Sequence, residues 1–174
     1  MGESGRLWII LPKYYKNKYF FMFLGHTYCN LDNKSRLVVP SKFRKYINFE
    51  TNNKLILTRG VYECILIYPQ EAWNKVVERL QNYNYFDEEH RDFIKESLFY
   101  ANEVEIDSQN RILLPAQLIE FAHIKKEVIV NGMIDKIEIW DPDEMKAQDA
   151  KQKRTYAEIA KKVSEDIYNK KPNI

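Results

Sequence analysis

The sequence predicts an α+β protein of two tandem βαββ-type units with flanking helices and a long C-terminal helix, and three observations predict it. A nine-residue pattern (Asp, three small or polar residues, Arg, three aliphatics, Pro) occurs twice, as DNKSRLVVP at 32–40 and DSQNRILLP at 107–115. The offset is 107 − 32 = 75 residues. The closing stretches also match: TRGVYECILIYPQEAW (58–73) aligns with VNGMIDKIEIWDPDEM (130–145) at an offset of 72, placing Gly60 on Gly132. Around both copies, hydrophobic spacing passes from strand-like alternation to helical periodicity in the same order.

The chain divides into five segments. Residues 1–21 are a leader outside the repeat, holding LWIIL (7–11) before Pro12. A mis-assigned start, with Met22 as native first residue, is the expectation there. Residues 22–80 form the first unit with a linker helix. In it HTYCNLD (26–32) is a strand, Asp32–Ser35 a polar loop and LVV (37–39) a strand. Pro40 then opens a short helix, since a proline suits the first helical turn. KLILT (54–58) and ECILIYP (63–69) are strands, and Trp73, Val76, Val77 and Leu80 mark a helix over 70–80. Residues 81–100 are a connecting helix, from about Glu88. Residues 101–150 repeat the order: NEVEID (102–107), the loop Ser108–Asn110, ILL (112–114), a short helix after Pro115, EVIVNG (127–132) and KIEIW (136–140). The three residues missing between the two offsets fall in NFETNN (48–53), as a surface loop allows. Residues 151–174 are a C-terminal helix and tail. The helical pattern after Pro142 runs to about Asn169, with Tyr156, Ile159, Ala160, Val163 and Ile167 as its stripe.

Bulk properties exclude more than they assign. No apolar run approaches the length that spans a bilayer, so a cytoplasmic protein is expected. The net charge of +2 is too small to argue for nucleic acid by itself; a local basic surface is needed. Cys29 and Cys64 lack CxxC spacing and fit reduced, buried thiols. Three scattered histidines give no metal spacing, and no Gly-rich phosphate loop or GxSxG occurs. Neither cofactor nor metal is expected.

The paired loops carry the functional argument. Asp32 and Asp107 at strand ends are placed to accept backbone hydrogen bonds from residues just beyond, closing tight turns. Each is also four residues ahead of an arginine, Arg36 or Arg111, that it can hold in place. A pre-ordered guanidinium loses less entropy on binding and suits phosphate or the O6/N7 edge of guanine. Asn33, Ser35 and Asn110 are short donors that allow close approach, and Lys34 adds a phosphate contact in the first copy only. The plainer reading makes each Asp–Arg pair a fold-stabilising turn. A carboxylate-pair enzyme using Asp32 and Asp107 is the rival from another class. It fits poorly, because an adjacent arginine lowers the pKa of each acid. A protein-interaction scaffold without DNA is the alternative among binding proteins.

On the residues MFLGHTYCNLDNKSRLVVPSKFR (22–44), VEIDSQNRILLP (104–115) and EIWDPDEM (138–145), the chain resembles the MraZ family of bacterial regulators. The resemblance implies AbrB-like units forming a pseudo-two-fold, swapped-hairpin β-barrel. It implies a regulator of transcription, with repression the expected direction, acting on the division and cell-wall gene cluster. It further implies binding of double-stranded DNA at short G-rich direct repeats, a ring-shaped homo-oligomer and a place in the nucleoid. Carried over by motif, Lys34, Arg36 and Arg111 are the DNA contacts, with Asp32 and Asp107 as loop organisers. Family members commonly have Gly before the first arginine, where this chain has Ser35. A φ above zero there costs Ser more than it costs Asn110 in the second loop.

Of the remaining candidates, Lys42, Arg44 and Lys45 read as a solvated helix face, as does KQKR (151–154). His26 lies near the presumed DNA face. Trp73 and Trp140 read as core or interface residues.

Overall fold

The computed structural model describes residues 22–47 and 53–169, the last three by backbone alone. The leader 1–21 and most of the 48–53 loop lie outside the described residues. In chain order the elements are β1 (His26–Asn30), β2 (Arg36–Val38), α1 (Ser41–Arg44), β3 (Lys54–Arg59) and β4 (Cys64–Pro69). Helices α2 (Gln70–Leu80) and α3 (Glu88–Phe99) complete the first half. The second half repeats the series as β5 (Asn102–Glu105), β6 (Arg111–Leu113), α4 (Ala116–Phe121), β7 (Glu127–Met133), β8 (Lys136–Trp140), α5 (Pro142–Lys151) and α6 (Tyr156–Asn169).

The halves exchange strands. β1 pairs antiparallel with β7, and β5 pairs antiparallel with β3. The hairpins β3–β4 and β7–β8 meet along β4 and β8, giving one six-stranded sheet ordered β1-β7-β8-β4-β3-β5. β2 and β6 form a separate two-stranded ribbon. The barrel that the resemblance implies is thus, among the described residues, an open sheet with β1 and β5 as edges. The three-residue strands β2 and β6 pair only with each other.

One core serves both halves. Leu37, Leu57, Ile65, Ile112, Leu118, Val128, Ile137 and Ile139 are fully or almost fully buried in it. Alternation along the ribbon is strict: Leu37 and Ile112, directly paired, point inward, while Val38 and Leu113 point out. Removing a side chain such as Ile112 would leave a cavity costing about 2–5 kcal/mol.

The ladders correct the repeat alignment. Leu57 and Val130 hold equivalent places (130 − 57 = 73), as do Ile67 and Ile139 (139 − 67 = 72). Two of the three missing residues therefore fall before β3, and the third falls in the β3–β4 turn. Gly60 consequently has no glycine counterpart; its ladder equivalent is Met133. The two glycines serve different contacts. A side chain at Gly132 would strike the Phe23 backbone, and one at Gly60 would strike the Cys64 sulfur.

The long C-terminal helix is two helices. Thr155 ends the break as a capping box: its backbone N–H and hydroxyl donate to Glu158 Oε2 at 2.7 and 3.0 Å, and its hydroxyl accepts from Glu158 N–H at 3.3 Å. Thr-x-x-Glu satisfies two otherwise orphaned donors, which favours a fresh helix start over continuation.

Candidate nucleic-acid interface

The same local chemistry builds both loops. Asp32 Oδ1 accepts from the N–H groups of Lys34 and Arg36, at 2.8 and 3.0 Å. Asp107 Oδ1 accepts from those of Gln109 and Arg111, at 2.8 and 2.9 Å. The second carboxylate oxygen of each Asp takes the arginine Nε at 2.8 Å. Backbone pairs close each turn: Ser35 and Asn110 donate to the Asp carbonyls at 3.0 and 2.8 Å. Ser35 and Asn110 have φ of 57° and 61°, the left-handed region that the family's usual glycine before the first arginine implied.

The ribbon then brings the two loops together. Val39 N–H donates to the Asn110 carbonyl at 2.9 Å, and Leu114 N–H donates to the Ser35 carbonyl at 3.0 Å. Each loop's strained residue therefore accepts from the other half's strand. Arg111 lies between both acids: Nε and Nη2 each stand 2.8 Å from Asp107 Oδ2, and Nη1 stands 3.9 Å from Asp32 Oδ2. Arg36 and Arg111 share the outer face of the ribbon with Val38 and Leu113, which are 53% and 56% exposed.

The acids are held ionised. The Arg36 backbone N–H is the largest cause keeping Asp32 below the usual carboxylate range; for Asp107 it is the Arg111 side chain. The loops do converge, as a carboxylate-pair enzyme would require. Both carboxylates are nevertheless saturated by fixed donors, which suits neither a general acid nor a shared proton.

Lys125 and Lys126 are residues that the sequence reading missed. With Leu31, Asp32, Asn33, Ser35 and Ile119 they line a polar recess of about 280 Å³ beside the first loop. They come from the α4–β7 turn, carried there by the β1–β7 pairing, in which Leu31 N–H donates to the Lys126 carbonyl. No local motif announces that; only the strand exchange does. Lys125 is itself tied to Asp143 at 2.8 Å.

The lesser candidates separate from the site. Lys42 donates to the His26 carbonyl and lies over the Phe43 ring, and Lys45 lies over Tyr46. His26 is exposed, edge-on to Tyr28. His123 pairs with Glu144 at 2.8 Å, and residues 151–154 are exposed. Trp140 is buried and donates to Glu138 at 2.9 Å, and Trp73 is buried against Tyr68. Cys64 is buried, its thiol pushed up to about 12, and neither cysteine is disulfide-bonded. Among the described residues no group of three His, Cys, Asp or Glu is placed to hold a metal, and no helix is long and apolar enough to cross a membrane.

Fold and site together define a tandem-repeat α+β protein in which two strand-linked Asp-x-x-x-Arg loops share one exposed face. The chain matches the model of the MraZ protein, antitoxin-like, family over residues 22–95 and 98–165. It is 36% identical over 145 residues to the Transcriptional regulator MraZ of Clostridium tetani, covering 83% of this chain and 98% of that protein. Against that of Desulforamulus reducens it is 33% identical over 142 residues, covering 82% and 97%. Against that of Clostridium acetobutylicum it is 38% identical over 122 residues, covering 70% and 83%. The chain belongs to the MraZ family.

Proposed function

We propose that this chain is a sequence-specific DNA-binding regulator of transcription whose ribbon face meets double-stranded DNA. The carrying observation is the pair of arginines on one outer face, each fixed through Nε by its own Asp. Arg36 is held through Nε and stays partly exposed, and a fixed guanidinium matches phosphate or a guanine edge. Lys34 and the recess lysine Lys126 add phosphate contacts beside it, supplying the local positive charge that the whole-chain value lacks. Asn33, Ser35 and Asn110 line the approach. The naming of the relatives as transcriptional regulators supports the same reading. So does the pairing of β1 with β7 and of β5 with β3, which fits the swapped-hairpin units of this reading.

One such face offers few phosphate contacts, too few for tight binding at physiological salt. A head-to-tail homo-oligomeric ring presenting the face repeatedly would read short G-rich direct repeats by avidity. The promoter of the division and cell-wall gene cluster, in the nucleoid, is the target this reading assigns. The test is binding of duplexes with G-rich direct repeats, against scrambled duplexes, across a salt series. Preference for the repeats with a steep salt slope is expected. Equal binding of both duplexes with a flat slope would remove the DNA reading in favour of a protein-interaction scaffold.

A further inference from the structure

The outer face of the ribbon carries more than charge. Val38 and Leu113 are more than half exposed, although each sits between buried neighbours in an aliphatic run. The cross-strand register sets Arg36 opposite Leu113 and Arg111 opposite Val38. Side chains directly opposite in an antiparallel pair have Cβ atoms about 4.5–5.5 Å apart. Each arginine is therefore paired across the ribbon with one exposed aliphatic residue, and the second strand repeats the couple. Neither aliphatic is needed by the core, which the ribbon supplies through Leu37, Val39, Ile112 and Leu114. The solvated face of an antiparallel pair ordinarily carries polar residues; here both copies carry large apolar ones.

We infer that Val38 and Leu113 are specificity residues that contact the 5-methyl groups of thymines next to the guanines read by Arg36 and Arg111. The inference rests on the DNA reading above. A two-stranded β-ribbon fits the major groove, where each base pair presents a distinct pattern. In that groove the thymine methyl is the one apolar landmark, and aliphatic contact with it discriminates thymine from cytosine. An Arg–aliphatic couple on a single strand pair thus selects a guanine with a thymine within a base-pair step or two. The pseudo-two-fold lets the second couple do the same on the other DNA strand. Leu113 reaches further than Val38, so its thymine is the more tightly specified.

The test compares one G-rich repeat duplex with the same duplex in which deoxyuridine replaces every thymine, removing only the methyl groups. The full-length wild type should bind the deoxyuridine duplex more weakly, by about fourfold for each methyl contacted. The Val38→Ser/Leu113→Ser double variant should bind the two duplexes equally. Both positions are exposed, so circular dichroism and the thermal midpoint should match wild type. Equal wild-type affinity for the two duplexes overturns the inference, as does a double variant that keeps the preference. A double variant that changes the mass in solution while keeping the preference also overturns it, in favour of a contact between copies. Arg36→Ala, measured alongside, separates the two levels. If that folded variant binds like wild type, the DNA reading itself has failed, whatever the methyl groups do.

Discussion

The two loops share a motif, a turn and a backbone strain, but they hold their arginines differently. Arg111 grips Asp107 through two nitrogens and leans a third toward Asp32. Arg36 is anchored through Nε to Asp32 at 2.8 Å, and among the described residues only Arg111 stands within 4 Å of the opposite loop's acid. The first loop carries Lys34 where the second has Gln109, and Ser35 where the second has Asn110. An internal duplication has thus kept the scaffold of a turn while changing how its arginine is held. On the proposed DNA reading, Arg36 is the arginine offered more freely to a target, and Arg111 also ties the two halves together.

The widest predicted separation is in the arginine variants. Arg36→Ala should weaken duplex binding by about 5–150-fold, or about 1–3 kcal/mol. Its urea midpoint should stay close to wild type, since partly exposed ion pairs contribute little. Arg111→Ala should lose less affinity and more stability, because it removes contacts to both acids. Titrations by fluorescence anisotropy and urea melts of both variants decide it. Equal losses in both measures would mean that the loops are functionally equivalent.

The strained residues give the next effect. Ser35 at φ 57° carries a left-handed penalty that glycine would relieve, offset in part by glycine's entropy in the unfolded chain. Ser35→Gly should raise stability by about 0.5–1 kcal/mol. Asn110→Gly should change it by no more than a few tenths, because asparagine tolerates this region. Urea melts resolve the difference. A Ser35→Gly protein no more stable than wild type would mean that the first loop does not hold that backbone in solution.

The tight Asp turn was legible in the sequence, while the positive φ at Ser35 came through the glycine that family members commonly carry there. Turn chemistry is local: Asp, a short polar residue and Arg at fixed spacing dictate the turn wherever it occurs. The strands and α2 were legible for the same reason, through periodicity. What depends on a distant partner was not. The exposure of Val38 and Leu113 follows from the β2–β6 register, not from the runs LVV and ILL. The place of Lys126 follows from strand exchange between halves. The Gly60–Gly132 alignment was misleading because glycine matched glycine across a one-residue difference in turn length. The break before α6 was legible in Thr155-x-x-Glu158, but the apolar stripe running past it masked the signal.

Lys34 sharpens the comparison by a smaller amount. Each phosphate contact releases counterions and steepens the salt dependence by about one unit of slope. Lys34→Ala should lower the slope by about 1 with little effect on sequence preference. Gln109→Lys, which gives the second loop the residue it lacks, should raise it by about 1 if that loop also faces the duplex. An unchanged slope in Gln109→Lys would place the second loop away from the phosphates and make the asymmetry complete.

The smallest effect is in acid. Asp32 and Asp107 both sit below their ordinary pKa of 3.8. A carboxylate whose folded pKa lies below its unfolded value stabilises the fold above the unfolded value, and that stabilisation is lost as pH falls through the folded one. The two groups should therefore leave stability unchanged from neutral pH down to about 5 and erode it progressively as pH falls through 3.8 and below. The causes differ between the loops, and that difference can be separated experimentally. For Asp107 the Arg111 side chain comes first; for Asp32 the Arg36 backbone N–H comes first, and the Arg36 side chain ranks after burial and the Lys34 N–H. Arg111→Ala should consequently raise the pKa of Asp107 more than Arg36→Ala raises that of Asp32, while the backbone N–H donors keep both acids below their ordinary value. Carboxyl carbon NMR titrations of the two variants read this directly. A full return of Asp32 in Arg36→Ala would show that its side chain grips as firmly as Arg111 does, and the freedom assigned to Arg36 would be lost with it.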